Sequence, residues 1–308
     1  MNAFEAATRK VFDAHHRLQD CDEHIFHRLT TLITEEYFGL PAGAFRDMSI
    51  LDAGCGSNAN ASYAFLSHGA KRVTSLELGE EWLPCATARL VKFGDRSRLV
   101  GGSVLDLPFE TGTFDLVHCA GVLHHTEDPR RGFAELARVT KPGGCLFLTI
   151  MATGSGALYQ CINRLREVYA QNQEFRSIID DMSIESVEAG LDWLFSVKNA
   201  TEAELIPGEE SFIRSLFDKD LLLTIKDRLQ APTYHSFDFT ETQVQEWFLT
   251  EGFVEPRRIS RYTKGFENLR RFFAPMYLQY EHPVARFWFG DGYVQMIARR
   301  SVGAPSPR

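Results

Sequence analysis

Between residues 49 and 150, short apolar segments alternate with longer segments whose apolar residues recur at helical spacing. The apolar segments, which we predict to be strands, are 49–51, 72–76, 99–104, 114–120 and 145–150. Helices are predicted between them, ending near Ser67, Gly94 and Thr140. Such alternation requires right-handed crossovers, which make the strands parallel in one sheet covered by helices on both faces. We therefore predict a Rossmann-like, doubly wound α/β core.

In two other parts of the chain the apolar residues recur at helical spacing, and no strand is predicted. Residues 4–40 are predicted to be helical, and residues 154–230 contain several helical segments and no convincing strand. Within the second part, Thr201 and Glu204 have the spacing of a capping box, which starts a helix. We expect an N-terminal helical cap and an inserted helical lid.

The last part of the chain returns to strands. Thr240 and Gln243 form a second capping box, which predicts a helix that Gly252 ends. Residues 253–262 and 293–299 are predicted to be two closing strands. The whole sheet is expected to have seven strands and to be mainly parallel, with an antiparallel last strand.

These patterns divide the chain into five parts. In order they are a helical cap (1–45), the Rossmann-like core (46–152), the helical lid (153–235), the completion of the core (236–302) and a disordered tail (303–308). The fourth part includes an aromatic-rich excursion at 263–290, which is too long for a simple hairpin. Its aromatic side chains are expected to pack in the core or the lid.

The composition is that of a globular protein, and it narrows the range of partners. With 308 residues, 44% of them hydrophobic and 24% charged, the chain is long enough to bury a sizeable core. A formal net charge of -8 disfavours nucleic acid and anionic membrane surfaces. No apolar run approaches the roughly 20 residues that span a bilayer. We expect a cytoplasmic monomer or homodimer with no nucleic-acid partner and no membrane insertion.

Neither the cysteines nor the histidines have the spacing of metal ligands. The six cysteines contain no C-x-x-C pair, so we predict neither a zinc site nor a disulfide framework. A cluster of possible ligands near the N-terminus comprises His15, His16, Cys21, His24 and His27. This cluster lies on a predicted amphipathic helix and lacks a recognised ligand spacing, so solvated side chains are expected. We predict no metal.

A glycine loop follows the first predicted strand. Gly54-x-Gly56-x-x-Ala59 matches the dinucleotide fingerprint, and Glu77 lies 23 residues beyond Gly54, near the place of a ribose-binding acid. Glycines let the backbone approach a nucleotide-bearing cofactor, and a carboxylate accepts hydrogen bonds from ribose hydroxyls. These residues predict a nucleoside pocket and leave the type of nucleoside open.

Five motifs in a fixed order extend this pattern. They are LDAGCG, SLELGEEW, GSVLDLPFETGTFDLV, VLHHTEDP and ARVTKPGG. Together they resemble the class I S-adenosylmethionine-dependent methyltransferases, especially their UbiE-like (methyltransferase type 11) small-molecule branch. The resemblance covers roughly residues 48–151, about a third of the chain. It implies that the cofactor is S-adenosylmethionine.

The resemblance implies a set of residues around the methionine portion of the cofactor. These are Asp52, Gly54, Cys55, Gly56 and Asn58 and, through their backbone, Cys119 and Ala120. Asp52 is equally well explained as a structural residue that accepts hydrogen bonds from loop amides. Many relatives have glycine where this chain has Asn58. Because asparagine adopts left-handed conformations more readily than most residues, we expect the turn to survive.

The adenosine portion is implied to bind at the next two strand ends. Glu77, with Leu78 beside it, would accept hydrogen bonds from two ribose hydroxyls. Asp106 would accept a hydrogen bond from the adenine amino group, with the backbone of Leu107 beside the ring. Acidic residues suit uncharged adenosine better than a phosphate, which usually recruits basic residues or helix N-termini.

His124 and His125 are the candidate catalytic residues. They follow a strand whose carboxyl end faces the ligand crevice, and histidine takes up protons near neutral pH. In similar O-methyltransferases this segment lines the acceptor pocket, which makes either histidine a candidate base. The alternative is that one packs and the other caps the next helix, where Asp128 and Pro129 already resemble N-cap and first-turn residues.

The implied activity is methyl transfer to oxygen or nitrogen of a small molecule. Acceptors of this kind are secondary metabolites, sugars and lipid-like intermediates. One alternative is C-methylation of an apolar quinone or isoprenoid-like acceptor, where aromatic residues would stabilise positive charge. Two further alternatives are an NAD-dependent oxidoreductase that uses the same loop and a catalytically silent module that only binds the cofactor.

Overall fold

The predicted strands pair into a single sheet. The computed structural model describes residues 3–19, 23–79, 83–152, 156–200, 208–216, 226, 228–231, 239–259 and 281–303. In this part of the chain the strands are β1 Ser49–Ala53, β2 Arg72–Glu77, β3 Ser97–Gly101, β4 Phe114–Ala120, β5 Thr140–Ala152, β6 Phe253–Arg258 and β7 Gly292–Arg300. They form a seven-stranded sheet in the order β3-β2-β1-β4-β5-β7-β6.

Strands β1 to β5 are parallel, and β7 is antiparallel to both of its neighbours, β5 and β6. The predicted fold, a mainly parallel seven-stranded sheet with an antiparallel last strand, is therefore confirmed. Because both faces are covered, most strands are apolar nearly throughout, as buried parallel strands require.

Helices precede, connect and follow the strands. The first group is α1 Ala3–Gln19, α2 Glu23–Thr30, α3 Glu35–Phe38, α4 Asn60–Ser67, α5 Leu83–Leu90 and α6 Pro129–Val139. The second group is α7 Ala157–Gln171, α8 Gln173–Asp181, α9 Ile184–Ala200, α10 Glu209–Leu216, α11 Glu241–Thr250 and α12 Pro283–Phe289. None of the helices in the described residues is long and apolar enough to cross a membrane.

Two hydrophobic clusters lie on opposite faces of the sheet. On one face, strand residues such as Val117 and Leu148 pack with Phe133 of α6 and Phe248 of α11. The cluster on the other face is rich in phenylalanine and includes Phe38, Phe45, Phe65 and Phe147. Helices α3 and α4 contribute to this second cluster, so the predicted coverage of both faces is confirmed.

Several predicted helix ends are confirmed by their hydrogen bonds. Asp128 is the N-cap of α6 and accepts the Arg131 N–H at 2.9 Å. Thr240 and Gln243 form the predicted capping box of α11, and Gly252 follows that helix with a φ of 79°. The other predicted capping box, at residues 201–204, lies outside the described residues, as does most of the 263–290 excursion.

Three predicted strands differ from the observed ones by more than two residues at one end. Strand β6 spans Phe253–Arg258 instead of 253–262, and residues 260–262 lie outside the described part of the chain. Strand β3 spans Ser97–Gly101 instead of 99–104, so the residues after Gly101 form a loop. Strand β5 begins at Thr140 instead of 145, because the intervening segment forms an irregularity in the pairing with β4. At this irregularity a Cβ on Gly144 would lie 2.9 Å from the Asp115 carbonyl oxygen, so only glycine fits there.

All described elements between residues 156 and 231 are helices, as expected of the inserted lid. The division of the chain into five parts stays a prediction.

A buried arginine joins the last strand to α6. Arg300 is only 2% exposed, and its Nη1 donates to the carbonyls of Ala137 at 2.9 Å and Thr140 at 2.6 Å. These carbonyls belong to the C-terminal end of α6, where unpaired acceptors and the helix dipole favour a cation. Burial lowers the pKa of Arg300, and the negative charge of Glu251 opposes this effect. Arg300 thus holds the end of α6 against the sheet.

Replacing Arg300 with methionine is expected to destabilise the protein strongly. The substitution keeps much of the aliphatic volume but removes the charged donor that Arg300 gives to the Ala137 and Thr140 carbonyls in a buried site, which costs about 2–4 kcal/mol. Arg299→Met is the matched control, because Arg299 lies next to it on an exposed position and donates to Gly143. Its cost should stay below about 1 kcal/mol. Urea unfolding measures both, and equal losses would contradict the role given to Arg300.

Candidate functional site

The glycine loop is bonded to the second strand. The N–H groups of Gly54 and Cys55 both donate to the carbonyl of Leu76, at 2.8 and 3.0 Å. Gly54 has a φ of 81° and Gly56 a φ of 65°, which favour glycine. A Cβ on Gly54 would also lie 2.4 Å from a methyl carbon of Val122. Neither sterics nor backbone conformation therefore allows a side chain at position 54.

Glu77 lies at the carboxyl end of β2 and is bonded to the same loop. Its Oε2 accepts the Gly56 N–H at 2.8 Å. Its Oε1 accepts the Leu78 N–H at 2.9 Å and, more weakly, the Gly79 N–H at 3.4 Å. Each carboxylate oxygen has two lone pairs, so the group retains capacity to accept further hydrogen bonds. The structure therefore brings together Gly54, Gly56 and Glu77 as predicted.

Burial of the Glu77 carboxylate disfavours its negative charge. Burial raises the pKa of this carboxyl, against the opposing effect of the amide donors from Gly56, Gly79 and Leu78. A carboxylate in this position disfavours a phosphate and favours neutral hydroxyl donors, which would stabilise its charge.

Asp52 lies beneath the loop, with its carboxylate engaged inside the protein. One oxygen, Oδ2, accepts the Ser62 N–H at 3.0 Å and the Ser62 hydroxyl at 2.6 Å. The other, Oδ1, lies 2.9 Å from Nδ1 of His118. The Ser62 hydroxyl is also 2.6 Å from that of Ser75. These contacts support the structural alternative for Asp52, which bonds the first turn of α4 to the sheet.

His118 was not predicted to belong to the site. Its ring stacks on Phe147 with centroids 5.1 Å apart and lies edge-on to Phe38 and Phe65. The side chain is only 4% exposed, and Asp52 satisfies its Nδ1. The available sequence signal is a single histidine inside the otherwise apolar end of β4, which calls for a buried polar partner.

The expectation for Asn58 needs a correction. The left-handed residue of the turn is not Asn58 but its neighbour Ala59, which has a φ of 45° and is the N-cap position of α4. The turn therefore does not depend on the tolerance of asparagine for this conformation. Asn58 is buried, and Ala59 bears the backbone strain that glycine would avoid.

The residues predicted for adenine lie on the loop after β3. The Asp106 side chain is exposed. The Leu107 N–H donates to Oε2 of Glu135 at 2.9 Å, and the Leu107 carbonyl accepts from Arg138 at 3.0 Å. The Leu107 backbone is therefore already hydrogen-bonded to α6, and neither Glu135 nor Arg138 was predicted to matter here. Arg138 does lie within the ARVTKPGG motif.

Cys119 and Ala120 lie at the carboxyl end of β4, where Cys119 is buried. Pairing of β4 with β1 ends at His118, so these two residues lie beyond that pairing. Burial raises the pKa of the Cys119 thiol, and the charge of Asp52 adds to this. Burial, then Asp52 and Glu77, likewise raise the pKa of Cys55. Both thiols stay protonated and are poor nucleophiles.

His124 and His125 lie in a 3-10 turn that follows β4. Both are buried, with ring centroids 4.2 Å apart. Phe12 of α1 contacts His125 edge-on at 4.8 Å, so the N-terminal cap adjoins this histidine pair. The cap of α6 is Asp128, which removes the need for a capping histidine.

Within the described residues, no three acidic, histidine or cysteine side chains are grouped as metal ligands. The side chains of His15, His16, Cys21 and His24 lie outside this description.

Comparison with known proteins finds similarity to methyltransferases. Residues 51–148 match a family model described as a methyltransferase domain. The chain is 32% identical over 103 residues to a ubiquinone biosynthesis O-methyltransferase from Vibrio parahaemolyticus, covering 33% of this chain and 43% of that protein. It is 34% identical over 104 residues to a demethylmenaquinone methyltransferase from Clavibacter sepedonicus, covering 34% and 41%. The chain thus spans less than half the length of these relatives.

The fold is also found among solved structures. A chain of the complex that contains the Haloferax volcanii Trm112 methyltransferase activator superposes with a TM-score of 0.51 at 14% identity. The match covers 96% of this chain and 97% of that chain, and at this identity it shows the fold alone.

The contact between Asp52 and His118 is expected to stabilise the protein measurably. Asp52→Asn and His118→Phe each disturb a buried hydrogen bond, and the phenylalanine ring can keep the stacking on Phe147. In a double-mutant cycle read by urea unfolding, the double variant should lose about 1–3 kcal/mol less than the sum of the single variants. Strictly additive losses would show that the two residues are not coupled.

Proposed function

We propose that the chain, whose residues 51–148 match a methyltransferase domain, is a class I S-adenosylmethionine-dependent methyltransferase that methylates oxygen or nitrogen of a small molecule. The observation that carries this proposal is the direct bond between the glycine loop and the acid, from the Gly56 N–H to Glu77 Oε2. This bond lies at the carboxyl ends of the parallel strands, where open α/β sheets bind their ligands. A histidine pair follows the adjacent strand β4.

The residues present fit this cofactor. Glu77 retains acceptor capacity for ribose hydroxyls, and its raised pKa indicates a carboxylate that gains from additional donors. Gly54 and Gly56 permit close approach of backbone, and Cys119 and Ala120 present backbone beyond the pairing of β4 with β1. When bound, S-adenosylmethionine supplies a methyl group on a positively charged sulfur.

Asp52 is assigned a supporting role in this site. Its two oxygens are hydrogen-bonded to Ser62 and His118, so it holds the glycine loop and the start of α4 in place. Asp106 keeps its proposed role as acceptor for the adenine amino group, because its side chain is exposed on the loop that follows β3. The protein's contribution to methyl transfer is mainly to hold acceptor and methyl group in line and to exclude water.

The histidine pair supports the proposal that the methyl group is transferred to an oxygen or nitrogen atom. A hydroxyl or protonated amine must lose a proton during methylation, and a histidine beside the acceptor can take it. The contact between Phe12 and His125 encloses the pair with α1, which helps to keep water away. The aromatic excursion that motivated C-methylation lies mostly outside the described residues, and the family match favours methyl transfer over hydride transfer.

Glu77→Ala is expected to weaken binding of S-adenosylhomocysteine about 30-fold, because two ribose hydroxyls lose a charged acceptor. Isothermal titration calorimetry measures this directly. Glu110→Ala, which removes an exposed acid from the loop after β3, is the control and should leave affinity unchanged. Unchanged affinity in the Glu77 variant would refute the placement of the ribose.

Affinity for S-adenosylhomocysteine should also depend on pH through Glu77. Burial raises the pKa of this carboxyl in the free protein, and the hydroxyl donors bind its ionised form. Affinity is therefore constant well above the raised pKa and falls as the pH drops through it. Calorimetry at a series of pH values from neutral downward through the raised pKa should show this loss in the wild type and a weaker one in Glu77→Ala. A wild-type affinity that rises in acid would contradict the assignment.

His124→Gln and His125→Gln separate the proposed base from its neighbour. The variant that loses the base should lower kcat about 100-fold or more and lose the acidic limb of the pH profile. Its affinity for S-adenosylhomocysteine should change less than about twofold. The assay follows radiolabelled methyl transfer from S-adenosylmethionine to a panel of phenols, hydroxyquinones and amines. Wild-type turnover in both variants would exclude a histidine base.

If the wild type binds the cofactor but methylates no member of a broad acceptor panel, the alternative of a silent binding module gains support. Transfer of the radiolabelled methyl group to a carbon atom of a quinone would instead favour C-methylation.

A further inference from the structure

The loop between β3 and β4 is long and lacks helix or strand. It runs from residue 102 to residue 113 and starts beside the ribose acid, because the Gly102 N–H donates to the backbone carbonyl of Glu77 at 2.9 Å. Backbone groups in such a segment need partners outside regular structure. The conformation of the loop therefore depends on what its N–H and carbonyl groups contact.

Two side chains of α6 supply these partners. Arg138 donates through Nη1 to the Phe109 carbonyl at 2.7 Å and through Nη2 to the Leu107 carbonyl at 3.0 Å. Glu135 Oε2 accepts the Leu107 N–H at 2.9 Å. Arg138 and Glu135 are also joined to each other by two hydrogen bonds of 2.7 Å. The planar guanidinium thus serves two carbonyls and a carboxylate at once, which a lysine ammonium cannot reproduce.

The main chain of α6 holds the far end of the same loop. The N–H groups of Gly112 and Thr113 donate to the carbonyls of Arg138 and Val139 at 2.9 and 2.8 Å. The helix is itself fixed, since Phe133 and Leu136 are fully buried and Arg300 binds its terminal carbonyls. The loop is therefore attached to a rigid support on one side and to the ribose acid on the other.

The pair is charged under ordinary conditions. Partial burial tends to raise the pKa of Glu135, but hydrogen bonds from Arg138 and the Leu107 amide outweigh it and lower the pKa overall. The hydrogen bond with Glu135 raises the pKa of Arg138, and the charge of Asp106 contributes to this. Asp106 therefore lies within electrostatic reach of the arginine that holds its loop.

We propose that Glu135 and Arg138 are positioning residues, which hold the loop of residues 102–113 so that Asp106 meets the adenine base of the cofactor. This inference rests on the proposed function, because it assigns a recognition task to the adenine end of that site. Because the Leu107 N–H already donates to Glu135, the adenine ring would form its hydrogen bonds with other groups of the loop. Neither positioning residue touches the reacting atoms.

Arg138→Lys tests the proposal, with Arg131→Lys as the matched control on the exposed side of the same helix. The first readout is amide hydrogen exchange at Leu107 in the ligand-free protein. The variant should exchange at least about tenfold faster than the wild type, because the loop loses its forked donor. The control should stay within about twofold.

The second readout is base discrimination, measured by calorimetry with S-adenosylhomocysteine and S-inosylhomocysteine. These ligands differ only at the purine positions that distinguish adenine from hypoxanthine. The wild type should prefer the adenine compound, and Arg138→Lys should reduce this preference at least about fivefold. Glu135→Gln should shift both readouts in the same direction, so the test does not depend on one variant folding.

The outcomes are distinguishable. If the wild type discriminates between the ligands and both variants keep its ratio, the positioning role is wrong, whatever the exchange rates. If the wild type binds neither ligand, the proposed function and this inference both fail. A parallel loss of both affinities at a constant ratio would indicate general destabilisation of the domain and would also overturn the proposal.

Discussion

The hydrogen bond from the Gly56 amide to the Glu77 carboxylate is the constraint on which the site depends. It joins the turn after β1 to the acid at the end of β2, while the Leu76 carbonyl holds the preceding part of the turn. The loop and the acid are therefore joined as one unit. A nucleoside bound there would contact a backbone and a carboxylate whose relative positions are fixed. The loop loses its conformational entropy when the protein folds, so binding does not have to order it.

Buried or partly buried polar contacts on both sides support this unit. Beneath it, Asp52 bonds to Ser62 and His118 in an otherwise aromatic region. Beside it, Glu135 and Arg138 hold the loop after β3. Each of these groups is costly to bury, and each recovers the cost by satisfying backbone or side-chain partners. In the proposed methyl transfer the donor is already activated, so accurate placement would be the main task left to the protein.

Much of this arrangement is predictable from the sequence. Alternating apolar segments predicted the sheet, and the interval between Gly54 and Glu77 predicted that loop and acid meet. The partners of Asp52 were not predictable, because His118 is 66 residues away and is brought close only by the pairing of β1 with β4. The strain at Ala59 and the extension of β5 depend likewise on local packing, which periodicity does not report.

The central claim is that this site binds S-adenosylmethionine or its product in preference to other nucleotide-bearing cofactors. Isothermal titration calorimetry of the purified wild-type chain with S-adenosylhomocysteine and, in parallel, with NAD tests it most directly. We predict saturable binding of S-adenosylhomocysteine with one site per chain and no measurable binding of NAD. Selective binding of NAD would contradict it and redirect the search to hydride-transfer substrates.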